Sequence, residues 1–136
     1  MLKQLVIGSL VIIMTVAIQA EMFGLLTRKH EPFLDWTRRR FRRFAGTAFI
    51  TVAMLVVLFT MTIEVWLWAL VLLAAGAVFA LEPAVYFALQ CFTTLGFGDI
   101  TMPTEWRLLS ALIGANGFLM FGWSTAFMVE LIRKSR

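Results

Sequence analysis

The chain has 136 residues, of which 61% are hydrophobic and 15% charged, with a net charge of +4 and a mean hydropathy of +0.89. Soluble domains carry an apolar share nearer half, so the composition excludes an ordinary water-soluble domain and points to an integral membrane protein. At about 20 apolar residues per spanning helix the length allows one domain with two or three crossings, while the single Cys91 excludes an intrachain disulfide and leaves the redox compartment open.

The first apolar stretch, 5–26, predicts an N-terminal transmembrane helix within 1–27. A secretory signal peptide competes with it, because Lys3 precedes the apolar run and Ile18-Gln19-Ala20 resembles a cleavage site. Cleavage there would export the basic stretch that follows, against the positive-inside bias, so a retained helix with an external N-terminus is favoured. Gln19 and Glu21 then need shelter from lipid, for which the neighbouring basic segment is one candidate. That segment, 28–43, reads as a cytoplasmic loop. It carries seven Lys or Arg against Glu31 and Asp35. Its cluster Arg38, Arg39, Arg40, Arg42 and Arg43 is a topology anchor in the plainer reading. In the other it binds anionic lipid, at about 1 kcal/mol per basic residue near the surface. A voltage sensor carries its arginines through an apolar span, which these consecutive residues do not. His30 in the same loop titrates near neutrality, but a lone loop histidine is usually a bystander.

The C-terminal Arg133, Lys134 and Arg136 favour the cytoplasm as well. Two cytoplasmic flanks require an even number of crossings between them. An outer helix over 44–81, crossing at 44–63, therefore supplies one and the last apolar stretch the other. Glu64, Trp66 and Trp68 are expected at the outer interface, with Glu64 an interfacial anchor in preference to a proton sensor. The apolar residues 69–81 are expected to continue the helix or form an outer turn that breaks near Gly76. Glu82-Pro83 is a helix start, since proline needs no N–H in the first turn and an acid suits the positive end of the dipole. The helix predicted over 83–93 is too short to span. It fits a re-entrant helix that descends partway and hands over to non-helical backbone, which lipid forbids unless protein or water covers it.

That backbone is Thr93-Thr94-Leu95-Gly96-Phe97-Gly98-Asp99. Gly96 and Gly98 reach positive φ without a Cβ clash, so the chain can turn its carbonyls inward residue after residue, with the Thr94 hydroxyl at the inner end. Such carbonyls, from four loops, replace the hydration shell of potassium in known filters. From about 44 to the C-terminus the chain resembles the two-helix pore module of the potassium-channel superfamily, specifically the small bacterial ion-channel proteins that carry it. The specific part is 93–99, similar to the family signature Thr-Val-Gly-Tyr-Gly-Asp with Leu95 for valine and Phe97 for tyrosine.

The resemblance implies a filter over 94–99 in which Thr94, Leu95, Gly96 and Phe97 coordinate K+ beside Gly98, supported by Thr93, Asp99, Gln90 and Tyr86. Both swaps are compatible with it because coordination uses backbone oxygen. The family's tyrosine hydroxyl ties the filter to aromatic residues of the pore helix. Phe97 cannot do this, and the matching helix positions hold Tyr86 and Phe87. Gln90 stands where several relatives have glutamate, and offers the filter or Asp99 a hydrogen bond without the charge.

The chain returns through Asp99, Pro103 and Trp106 to an inner helix over 106–132. Glu82, Asp99 and Glu105 make the outer mouth acidic, which concentrates cations. Gly114, Gly117 and Gly122 are hinge candidates in the inner helix, Gly117 first because it lies midway, or else small residues that let helices pack closely. Asn116, Ser124 and Thr125 are expected to face the pore cavity or a neighbouring subunit, with Asn116 and Thr125 as cavity candidates.

A single pore loop per chain implies a homotetramer around one axis. The expected fold is an all-α membrane protein with three transmembrane helices and a re-entrant pore helix and selectivity filter between the last two, 44–136 being the pore domain. The expected function is passive K+ conduction, in a bacterial inner membrane by resemblance. No enzymatic activity, no cofactor besides the permeant K+ and no nucleic-acid partner is expected. A weakly selective cation channel keeps the same fold. A non-conducting membrane adaptor subunit is the alternative from another class.

Overall fold

The computed structural model describes the backbone of residues 1–40 and 45–135, and the side chains of 1–29, 32 and 46–133. The lipid-site candidates Arg38, Arg39, Arg40, Arg42 and Arg43, and His30, lie outside the described side chains. Four helices follow one another: α1 Leu2–Arg40, α2 Ala45–Ala74, α3 Leu81–Phe92 and α4 Arg107–Ser135. Three stretches, Leu2–Lys29, Gly46–Ala74 and Arg107–Arg133, are long and apolar enough to cross a membrane. The chain is an all-α membrane protein with three spanning helices and one short helix between the last two.

The spans pack by a shared periodicity. In α1 the buried positions are 4, 8, 11, 15, 19, 23 and 26, and in α4 positions 109, 113, 116, 120, 124, 128 and 131 repeat the same intervals, with Gly117 buried besides. These are the three- and four-residue steps that keep one helix face against a partner. Contacts between the two helices rise together in number. The Leu109 N–H donates to Gln4 Oε1 at 3.2 Å, the Thr15 hydroxyl is shared between Asn116 Oδ1 at 3.1 Å and Ile12 O of its own helix at 2.8 Å, and Gln19 Nε2 donates to Ser124 Oγ at 2.5 Å. Further along, Phe23 stacks on Phe127 with ring centroids 3.9 Å apart. The two helices are therefore parallel, and α2 returns between them. Lys3 sits over the Trp106 ring at one end, and the basic termini of the two spans share the other.

Several expectations change. The segment expected as a loop from 28 is helical through Arg40, with Pro32 inside it. The outer helix stops at Ala74 instead of running to 81. It closes with the N–H of Ala77 on Leu72 O and that of Gly76 on Leu73 O, both at 3.0 Å, and with Gly76 at φ +70°. This pairing is the left-handed helix terminus that favours glycine. Glu64 and Trp68, expected at the interface, are fully buried. Because α2 runs on as far as Ala74, they lie within the span and not at its exit; their carboxyl oxygens and indole N–H have no hydrogen-bond partner among the described residues. Trp66 alone of the three is exposed. Gln19 finds its shelter on α4 and not against the basic segment, while Glu21 is exposed.

The short helix starts at Leu81, with Ala80 extended before it and no side-chain cap. Pro83 lies in its first turn, where the backbone N–H groups have no partner within the helix. The first backbone bond, Ala84 N–H to Ala80 O at 3.1 Å, follows at once. Ala84, Phe87, Ala88 and Phe92 bury one face of α3. This seats its C-terminal end against α4, where a Cβ at Gly117 would overlap the backbone of Phe92.

Candidate functional site

The end of α3 builds the site. Thr93 caps the helix, its N–H on Leu89 O and its hydroxyl on the same carbonyl at 2.8 Å. The Thr94 N–H donates to Cys91 O at 2.9 Å and the Leu95 N–H to Gln90 O at 3.0 Å, with Thr94 at φ +59°. That is the same terminus that closes α2, with threonine in the place that favours glycine. A left-handed conformation costs an L-residue about 1–2 kcal/mol. At Thr94 the two helix-terminal hydrogen bonds offset that cost.

From there the backbone alternates. φ is positive at Thr94, Gly96 (+54°) and Gly98 (+78°), and not at Leu95 or Phe97. Alternation of this kind turns successive N–H groups to one side, and their carbonyls to the other. The N–H side is the helix: Leu95 and Gly96 both donate to Gln90 O, at 3.0 and 3.3 Å. No backbone hydrogen bond among the described residues ends on a carbonyl from 94 to 98. The sequence-predicted K+-coordinating residues Thr94, Leu95, Gly96 and Phe97, with Gly98, thus form one exposed strip, Leu95 at 59% and Phe97 at 68% exposure.

The far end of the strip is tied to the same helix. The Tyr86 hydroxyl donates to Asp99 Oδ2 at 2.7 Å, and Gln90 Nε2 donates to Asp99 Oδ1 at 3.0 Å. Tyr86 and Gln90 are one helical turn apart, so both reach the carboxylate from one face. These bonds, Gln90's first and then Tyr86's, hold Asp99 below the usual carboxylate range. Donation to Asp99 pushes the Tyr86 phenol up. Gln90 accepts from the start of the strip with its backbone and donates to the end with its side chain. The backbone half of that role has no signal in side-chain identity.

The remaining predicted residues scatter. Asn116 is buried against α1, not in a pore cavity, because Thr15 supplies the partner that an amide in an apolar helix requires. Thr125 is exposed, with its hydroxyl on Phe121 O at 2.9 Å. Gly117 is buried where α4 crosses α3, Gly114 lies near Cys91 O, and Gly122 has open space around it. Glu82, Asp99 and Glu105 are all exposed. Thr15 and Gln19 were legible only as polar residues four apart in an apolar stretch, with nothing to name their partners.

Two spanning helices that hold a short helix and an exposed carbonyl strip between them define the class. The family described as ion channel matches residues 55–134, more than half of the chain, and the protein belongs to it. This is a two-helix pore family of the potassium-channel superfamily, so the chain is an integral membrane ion channel. No curated protein and no solved structure matches the chain.

Proposed function

We propose that the chain is a potassium-selective channel whose pore is completed by four copies around the strip 94–98. One observation carries this reading: φ alternates in sign from Thr94 to Gly98 while the N–H groups of 94–96 are taken up by α3, leaving the carbonyls free on the opposite side. Oxygen rings made by Thr94, Leu95, Gly96 and Phe97 from four chains replace the hydration shell of K+, and adjacent ions drive one another along. The exposure of Leu95 and Phe97, and the open space where a Cβ at Gly96 or Gly98 would stand within one chain, support an assembly in which other copies back the filter. Positive-inside bias supports a cytoplasmic C-terminus in a plasma membrane, with anionic lipid a candidate partner of the arginine cluster at 38–43. The pore conducts passively, with K+ as its cargo.

Reconstituted protein is expected to give a reversal potential that follows the potassium gradient over sodium, and Gly96→Ala is expected to abolish the current. Phe97 favours a second reading. Without a hydroxyl it cannot tie the filter sideways as tyrosine does, and a looser filter discriminates less. Equal sodium and potassium permeability selects that weakly selective pore. Oligomers without any flux select a non-conducting subunit.

A further inference from the structure

The stretch that matches the ion-channel family begins at residue 55, so α1 lies outside it. Yet α1 is bonded to the inner helix at successive levels along the span. The Thr15 hydroxyl holds Asn116, one residue before Gly117, and Gln19 holds Ser124, two residues after Gly122. The backbone N–H of Leu109 is held by Gln4 at one end, and Phe23 stacks on Phe127 and meets Trp123 edge-on at the other. At Gly8 the helices come so close that a Cβ would meet the Leu112 side chain. The segment of α4 between the two middle bonds contains both glycines, and Gly122 has room around it.

We propose that α1 is the positioning element of the inner helix, Thr15 and Gln19 being the positioning residues, so that α4 bends across its two glycines only as α1 releases it. In an apolar bundle no water replaces a broken side-chain bond, so with Thr15 holding the near side at Asn116, the Gln19–Ser124 clasp beyond both glycines must part before the helix bends there. The seam is also half satisfied. Gln19 Oε1 and Asn116 Nδ2 are buried with no partner among the described residues. A partly satisfied buried network is poorly specified. A shifted α4 that pairs those atoms would recover hydrogen bonds that the observed packing leaves unmade. The proposal rests on the reading of α4 as the inner helix of a conducting pore.

The test uses full-length protein with Gln19→Cys and Ser124→Cys in a Cys91→Ser background, treated with a short, reducible bifunctional thiol reagent and recorded as single channels. The link is expected within one chain, leaving the monomer band on a denaturing gel. It is expected to arrest open–closed transitions at unchanged unitary current, with reductant restoring them. Linked channels that gate as before overturn the proposal, as does a dimer band, which would seat α1 on a neighbouring subunit, or failure of the link to form. Should the cysteine protein not fold, the pair Gln19→Leu with Ser124→Ala removes one clasp without leaving either partner orphaned. Its open probability is expected to change about threefold or more, and an unchanged value overturns the proposal. Absence of current in the unmodified channel defeats the pore reading and this proposal with it; formation of the intrachain link tells that failure from a misplaced α1.

Discussion

At the scale of single residues, Asp99 and Tyr86 share one hydrogen bond and lose it at opposite ends of the pH range. Bonds from Gln90 and Tyr86 hold Asp99 below its ordinary value of about 4. Its contribution to the folded site is thus complete above that value and disappears as pH falls through the lower folded one. Tyr86 is pushed up by donating to Asp99. Its contribution is complete below about 10 and is lost as pH rises through the higher folded value. The clasp on the end of the strip therefore stands across the whole range between. Tyr86 is the only tyrosine in the chain, so phenolate absorbance reports it directly. Its midpoint in the folded protein is expected above about 10 and is expected to fall back towards about 10 in Asp99→Asn. Thermal denaturation across a pH series should show the alkaline loss attributable to this bond vanish in Tyr86→Phe, with the acid loss reduced but kept through Gln90.

At the scale of elements, α3 and α4 meet where two helices could not approach with ordinary side chains between them. A Cβ at Gly117 would overlap the Phe92 carbonyl, whereas one at Gly122 meets nothing within 4 Å. Gly117→Ala is expected to destabilise the protein by about 1–3 kcal/mol through overpacking. Gly122→Ala is expected to be neutral or to gain up to about 1 kcal/mol of helix propensity. Thermal unfolding of the two variants, side by side, separates close packing from free backbone. By residue type these two glycines were alike, and position in the helix put Gly117 first as a hinge, where the structure packs it against α3. Only the crossing point of α3 tells them apart. The same holds for the two helix ends. Gly76 advertised a break by its identity, while Thr94 performs the same turn with a residue type that rarely adopts positive φ.

At the scale of the whole molecule, one chain presents a carbonyl strip that lacks a backing on one side, and under the proposed function ion binding is expected to couple to its completion. A ligand that binds only the assembled, folded pore stabilises it by RT ln(1 + [L]/Kd), about 2.7 kcal/mol at a hundredfold excess over Kd. Potassium is expected to raise the thermal midpoint of the purified oligomer more than sodium at equal ionic strength. Gly96→Ala is expected to remove that difference, because alanine at φ +54° carries about 1–2 kcal/mol of strain in the filter itself. Equal shifts by the two ions would favour the weakly selective pore.

The amino-acid sequence by itself determined the compartment, the number of spans, the short helix and the filter motif, because apolar length and the glycine pair are local properties of the chain. The turn near Gly76 was legible for the same reason, as a glycine in an apolar run, whereas Tyr86 and Gln90 were legible only through the resemblance to a potassium-channel filter. Tertiary structure alone decided what faces what. Where Asn116 and Ser124 were expected to face the pore cavity or a neighbouring subunit, it gave them to Thr15 and Gln19, more than a hundred residues away in the chain. It carried Glu64 and Trp68 from the membrane interface into the bundle interior. Polar side chains in an apolar helix must find partners, but which helix supplies them depends on the register of packed faces, and that register belongs to the assembled bundle.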